Sequence, residues 1–355
     1  MRFSPYLPGF LAGHSNIVRI GVLDVGSNSA QLQVVEASPG APPLPTHAVK
    51  QATLLGEAIE PDGSISAEGA DRVIAAVREA VAAARTLQVD RLFAFATSAV
   101  RDAANGSEIA QRLRDEAGIQ PRFLTGEDEA RLTYLAVRRW YGWSAGRLLV
   151  LDIGGGSMEI ALGRDAQPDL AVSLPLGAGR LTRAFLPDDP PSKRQLRELR
   201  HHTRSTLREV SDRLRWEGDP KRVIASSKTF KQLARLAGAP PQRTGPFERR
   251  HLRRSDVASW IPRLAAVPSA ERARFRGISE ARARQILAGA IVAHAVMTTL
   301  DIRSLDVSPW ALREGIILHH LETVMHQEQP LSLDSLQPVE VLETPMTNVT
   351  PIKSP

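Results

Sequence analysis

Apolar residues along the chain fall into two kinds of run. Residues 17–25, IVRIGVLDV, are β-branched and apolar and stop at Gly26, the pattern of a buried strand. A short turn of small polar residues, Gly26-Ser27-Asn28-Ser29, leads into AQLQVVE at 30–36, a second strand. The Pro-rich stretch 39–45 reads as a loop. From about Ser66 the period changes to 3.6. Ala70, Val73, Ile74, Val77, Val81, Ala84 and Leu87 then share one face, which predicts a helix. RLFAFAT at 91–97 predicts a strand, and Ser98 to Arg101 leads from it towards another helix. A helix from about Glu127 carries Leu132, Leu135, Ala136 and Trp140.

The pattern then restarts. RLLVLDI at 147–153, the turn Gly154-Gly155-Gly156-Ser157 and MEIALG at 158–163 copy the arrangement at 20–36: apolar strand, Asp, apolar residue, Gly, small polar turn, strand. Such a repeat predicts two halves built on one plan, facing each other across a cleft. The second half adds a long helix near 192–215, with Leu196, Leu199, Leu207, Val210 and Leu214 facing inward. A strand at 222–226, a helix from about 279 to 299 and a last helix from about 310 to 326 follow. After 326 the chain has five prolines in 29 residues and no periodicity, so a disordered tail is expected.

Composition narrows the class. The 355 residues include 45 Lys and Arg, 39 Asp and Glu, 9 His and no Cys. The absence of cysteine removes disulfide scaffolds, Cys-ligated zinc, iron–sulfur clusters and cysteine nucleophiles together. No apolar run approaches the ~20 residues of a membrane-spanning helix. The opening MRFSPYLPGFLAGHSN breaks its apolar stretch with Pro5, Pro8 and Gly9, so it reads as a loose extension rather than a signal peptide, and a cytoplasmic protein is expected. Charge is uneven: residues 181–260 hold 19 Lys and Arg against 9 Asp and Glu, a local +10 that leaves −4 for the rest of a +6 chain. A solvated Arg-rich helix is the plainer reading; a polyanionic partner is the sharper one. The few aromatics there, Phe185, Trp216, Phe230, Phe247 and Trp260, do not interleave with the basic residues, which argues against single-strand nucleic acid.

The two turns carry the chemistry. Glycines let backbone N–H groups converge on phosphate oxygens, and Ser27, Ser29, Ser157 and Asn28 add neutral donors. Asp24 and Asp152, one at each strand end, suit a divalent cation of the kind a magnesium phosphate site needs. A single such hairpin would be an ordinary tight turn. Two copies with an Asp at the same offset are far less expected by chance.

These residues carry a resemblance. Through IGVLDVGSNS, FATSAVRDA, TGEDEARLTYLAV, LDIGGGSMEIALG, SLPLGAGRLT and WALREG, over about residues 17–326, the chain resembles the exopolyphosphatase/guanosine pentaphosphate phosphatase (Ppx/GppA) family. It is most similar to short actinobacterial exopolyphosphatases that lack further C-terminal domains. The resemblance implies an α/β fold of two actin-like ATPase (ribonuclease H-like) domains facing across a cleft. The expected division is a loose extension at 1–16, domain I at 17–132, domain II at 133–326 with a last helix that packs back on domain I, and the tail at 327–355.

The resemblance also implies roles. Glu129, the acidic residue just before Ala130-Arg131, matches the family's catalytic glutamate, the general base for water. Its neighbours Glu127 and Asp128 suit the first turn of a helix, where the dipole favours acids. Asp152 and Glu159 match metal-binding carboxylates, with Asp24 as outer support. Arg101 matches an arginine that grips substrate phosphate, although a salt bridge to Asp102 is the plainer alternative. Gly26, Ser27, Asn28, Ser29, Ser98, Gly154, Gly155, Gly156, Ser157 and Lys228 complete the phosphate-binding set. Arg313 and Glu314 read as structural, and His201, His202, His319 and His320 as surface or packing residues. Two departures stand out: Gln31 replaces a usual His, and Ala225-Ser226-Ser227-Lys228-Thr229 replaces a glycine-rich loop. Magnesium-dependent removal of the terminal phosphate of inorganic polyphosphate is the expected reaction. Arg197, Arg200, Arg204 and Arg208 are expected to guide the polyanion to the cleft. Rival readings are a guanosine pentaphosphate 5′-phosphohydrolase, a non-catalytic sensor and an actin-like kinase. No membrane and no specific nucleic acid is expected as partner, and a homodimer is left open.

Overall fold

The computed structural model of the protein describes residues 18–37 and 42–325. The expected extension at 1–16, most of the Pro-rich stretch's start and the tail at 327–355 lie outside them. The first half runs β1 (Val18–Val25), β2 (Ser29–Ala37), β3 (Pro45–Ala52), α1 (Ala67–Thr86), β4 (Arg91–Ala96), α2 (Ser98–Arg101), α3 (Gly106–Ala117) and β5 (Arg122–Phe123). A bridging helix, α4 (Gly126–Tyr141), follows. The second half runs β6 (Leu148–Ile153), β7 (Met158–Gly163), β8 (Leu170–Leu174), α5 (Ala178–Phe185), α6 (Lys193–Trp216), β9 (Arg222–Ser226), α7 (Ser227–Leu236), β10 (His251–Arg253), α8 (Arg254–Ala265), α9 (Ser269–Arg272), α10 (Glu280–Ala283), α11 (Ile286–Thr299), β11 (Ser304–Val307) and α12 (Leu312–Met325).

The repeat read from the sequence is a repeat of topology. The first sheet is ordered β3-β2-β1-β4-β5 and the second β8-β7-β6-β9-β11-β10. In each, an antiparallel three-strand meander continues through parallel strands: β1 pairs with β4 as β6 pairs with β9. Register places Asp24 opposite Gln31 on the first hairpin and Asp152 opposite Glu159 on the second. Gln31 therefore occupies, in its half, the position that Glu159 holds in the other.

Each sheet has its own core. Leu23, Val25, Leu32 and Val34 pack against Val73, Val77 and Ala80 of α1, whose first turn is capped by the Ser66 hydroxyl accepting from Gly69 N at 3.2 Å. The second sheet packs on α11, whose residues 286–293 are buried on every side, as a central helix without an amphipathic stripe requires. The helix expected from 279 to 299 is broken: α10 ends at Ala283 and α11 starts at Ile286. Strands β3, β8, β10 and β11 were not legible as strands, and β3 is largely exposed. Helix α4 is continuous across 132/133 and packs on β6, β7 and β8 of the second half. Helix α12 packs on α4 and on the outer face of the first sheet, where Ile316 and Ile317 meet Val22 and Val35.

Candidate active site

The two turns meet at the centre of the molecule. Each is closed by one backbone bond: Gly26 N to Ser29 O at 3.1 Å, and Gly154 N to Ser157 O at 2.9 Å. A Cβ added to Gly155 would overlap the Ser27 hydroxyl, and one on Gly156 would overlap the Ser98 hydroxyl. Glycine is thus required here for close approach of two chains rather than for an unusual φ. The turn carbonyls are occupied: Ser27 O and Asn28 O accept from Gly56, Thr53 and Leu54, while Gly154 O and Gly155 O accept from Ala178 and Arg180. The N–H groups of Ser27, Asn28, Gly155 and Gly156 have no protein acceptor among the described residues. Free amides beside occupied carbonyls form a cradle for an anion.

A cavity of about 420 Å³ opens beside this contact. Three guanidinium groups of the second half face it. Arg180 donates to Gly156 O at 2.8 Å and to Asp102 of the first half at 2.7 Å. Arg183 donates to Gly56 O at 2.9 Å, its pKa lowered by burial and by Arg180. Arg284 donates to the carbonyls of Leu186 and Pro187. Gln285, in the break between α10 and α11, donates to Asn28 Oδ1 at 2.7 Å.

Asp24, Glu129, Asp152 and Glu159 are not among the cavity's lining residues, and Arg101 ties Glu129 to Asp102, which is. Arg101 donates to Asp102 at 2.9 Å and to Glu129 at 3.2 Å, so the two readings of this residue are both present. The first turn of α4 separates its three acids. Asp128 closes a capping box with Thr125, Glu127 is exposed, and Glu129 turns inward at 7% exposure. Glu159 accepts from the Ser173 hydroxyl at 2.9 Å, and Ser173 sits against Gly126 at the start of α4. Asp24 accepts from Arg313 at 3.0 Å through Oδ2, while its buried Oδ1 has no partner among the described residues.

Crowding of these acids in a dry pocket raises their affinity for protons. Burial, then the Glu159 charge, pushes Glu129 up to about 9, against the pull of Arg101. Burial and then Asp152 push Glu159 up to about 7. Burial pushes Asp152 up to about 6, which Lys231 and Arg282 offset in part. Asp24 is also raised by burial, against Arg313. On the same side, Lys228 is held down to about 8 by the protein around it and then by Lys231, Lys50, Arg313 and Arg282, although its side chain reaches the surface. Ser227 before it takes φ +78°, so the left-handed backbone of the altered loop falls on a serine.

No three of the described acids and histidines stand close enough to chelate an ion by themselves. The cross-strand pair Asp152 and Glu159, with the orphaned oxygen of Asp24 nearby in the same electrostatic cluster, fits a cation of another habit. Magnesium takes one or two carboxylates and fills its shell with phosphate oxygens and water.

The structure therefore brings together Gly26 to Ser29, Ser98, Arg101, Glu129, Asp24, Asp152, Glu159 and Gly154 to Ser157, with Lys228 close by. It does not bring Arg200 and Arg204 to the cleft: they line a separate groove with α8 and α11. Arg180, Arg183, Arg282, Gln285, Lys50 and Lys231 were missed as site residues. Arg180 stood within the SLPLGAGRLT block, but nothing local assigns it to the first half's Asp102.

Comparison with known proteins follows the same lines. The chain is 48% identical over 306 residues to exopolyphosphatase 1 of Mycobacterium tuberculosis, covering 86% of this chain and 89% of that protein. It is 46% identical to exopolyphosphatase 1 of Mycobacterium leprae over 86% of this chain and 90% of that one. The crystal structure of the Aquifex aeolicus Ppx/GppA family member superposes with a TM-score of 0.70 at 26% identity, covering 88% of this chain and 100% of that one. An exopolyphosphatase from Cytophaga hutchinsonii shares the fold with a TM-score of 0.78 at 24% identity, over 86% of this chain and 98% of that one. With two duplicated α/β halves, paired glycine turns and a match to the family model over residues 33–324, the chain belongs to the Ppx/GppA phosphatase family.

Proposed function

We propose that the protein is an exopolyphosphatase, hydrolysing the terminal phosphoanhydride of inorganic polyphosphate in the cleft between its halves. One observation carries the reading: a buried glutamate, Glu129, paired with Arg101 next to two facing anion cradles. The names of the mycobacterial relatives support the same substrate.

In this mechanism the amides of the two turns hold the terminal phosphate, and Arg101 grips its oxygens. Ser27, Ser98 and Ser157 supply neutral hydroxyl donors to its oxygens. Glu129 orients the attacking water and accepts its proton as the water oxygen bonds to the terminal phosphorus; the P–O bond to the next phosphate breaks, and the shortened chain leaves with that oxygen. Ionised Glu129 is needed for this step, and its pKa near 9 in the bare site opposes it. Asp152 and Glu159 would hold magnesium, which supplies charge to neutralise phosphate oxygens and favours ionised neighbouring carboxyls. Arg180 and Arg183 face the part of the cavity where the following phosphates would lie. Glu129 retained in a buried, arginine-paired site favours an enzyme over a non-catalytic sensor.

Guanosine pentaphosphate would use the same cradles. Phosphate release from short polyphosphate, long polyphosphate and guanosine pentaphosphate, each with and without magnesium, tests the reading. Faster release from guanosine pentaphosphate than from either polyphosphate would reverse the substrate assignment, and release from none would leave a binding protein.

A further inference from the structure

Helix α6 carries arginines at 197, 200, 204 and 208. Steps of three and four residues keep them on one side of the helix over roughly 16 Å at ~1.5 Å per residue. Arg200 and Arg204 line a groove of about 330 Å³ between α6, α8 and α11. Ile261, Pro262, Ile291 and Ala295 make its walls apolar, and among the described residues no carboxylate lines it. Neither arginine has an ion pair or hydrogen bond among the described residues. His294 faces them from α11. Its pKa is lowered by burial and then by Arg254, Arg204 and Arg200. Arg254, from α8, is engaged with Asp301 at 3.3 Å, and the Thr298 hydroxyl is turned back onto His294 O.

Two unpaired guanidinium groups against an apolar wall attract an anion more strongly than the same groups in open water, because the wall cannot screen them. The groove is separate from the cleft: none of its lining residues lines the cleft cavity. Gln285, which bonds Asn28 in the cleft, precedes His294 by nine residues on the line of α11, roughly 14 Å along the helix. We propose that the groove between α6, α8 and α11 is a second anion site, which holds an internal stretch of an inorganic polyphosphate chain outside the cleft. The anion site rests on the groove itself, while the choice of polyphosphate rests on the phosphohydrolase reading. Nucleic acid fits less well, since among the described residues no aromatic side chain lines the groove for a base to stack on.

The test reads His294 directly. Its imidazole resonance in the full chain, assigned with His294→Gln, is followed as sodium tripolyphosphate is added in EDTA, which keeps the probe whole. An anion on Arg200 and Arg204 cancels the field that disfavours the imidazolium, so the resonance should move saturably and its titration midpoint should rise. In Arg200→Gln/Arg204→Gln the half-saturating concentration should rise by about tenfold or more, the loss expected for charge-assisted hydrogen bonds. Arg204→Lys, which keeps the charge, should retain most of the binding. A resonance that tripolyphosphate does not move, or moves equally in the double glutamine variant, overturns the site. Tighter binding of single-stranded DNA of matched phosphate number overturns the polyphosphate assignment. Phosphate release plays no part in this readout, so a failure of the hydrolytic reading would show in the turnover assay and not here.

Discussion

Replacing Glu129 by Gln separates two effects that the site ties together. In an unfolded chain this carboxyl titrates near its ordinary 4.5; in the folded site it is pushed up to about 9. At pH 8 the folded protein must therefore either bind a proton here or hold a charge against Glu159, Asp24 and Asp152. The folded value lies above the unfolded one. The penalty is thus absent below about pH 4.5 and grows as the pH rises towards 9. A gap of this size caps the cost at pH 8 at roughly 5 kcal/mol. Arg101 at 3.2 Å and the titration shared with Glu159 reduce it, and about 1–2 kcal/mol is expected to remain after relaxation of the pocket. In metal-free protein Glu129→Gln should raise the melting temperature by ~1–3 °C at pH 8 and leave it unchanged near pH 4.5. The same variant should lose ~10²–10⁴ in polyphosphate turnover, the share of a general base. Scanning calorimetry in EDTA at the two pH values, with phosphate release measured beside it, checks both. A melting point that falls or stays level at pH 8 would refute the crowded carboxyl, and turnover at the parent rate would refute the base.

Asp152→Asn should shift the magnesium titration of turnover to higher concentrations, because an amide replaces one of two carboxylates available to the ion; an unchanged curve removes Asp152 from the metal's shell. Gly155→Ala should keep the circular dichroism of the parent and lose turnover, since the new methyl must push Ser27 and its turn away; parent activity would mean the turns need not meet. Lys228, held down to about 8, is charged below that pH and neutral above it. KM for polyphosphate should therefore rise as the pH passes 8, and Lys228→Arg should flatten the rise; a KM profile identical in the variant excludes Lys228 from phosphate binding.

The elements that were legible share a local cause. The β1–β2 and β6–β7 hairpins announce themselves through continuous apolar strands and short turns, and α1 through its stripe and Ser66 cap. β3 was hidden because its exposed edge carries no alternating apolar face, and β11 because four residues, Ser304 to Val307, are too few for a period. The site divides in the same way. Residues within a turn or a helix's first turn are named by the motif itself, but that Asp128 closes a capping box with Thr125 while Glu129 turns inward shows only in the fold. Arg180 and Gln285 could not be read in place, since their partners Asp102 and Asn28 lie 78 and 257 positions away and only the packing of two sheets joins them. For α6, composition gives the charge but not the face: Arg200 and Arg204 line a groove with α8 and α11 that no local pattern announces.

The two halves are joined in two chemically different ways. Across the jaw, the described bridges are polar: Arg180 to Asp102, Arg183 to Gly56 O and Gln285 to Asn28. At the back, α4 and α12 join them mainly through apolar contact, with Ile316, Ile317 and Leu132 against Val22, Val35 and Phe95, beside the Arg313–Asp24 pair. Exposed ion pairs contribute ~0–1 kcal/mol each and weaken as salt screens them, whereas charge screening does not weaken buried apolar contact. The mouth is held by one exposed ion pair and two polar bonds and the spine mainly by buried apolar contact, so added salt would weaken the Arg180–Asp102 tie first.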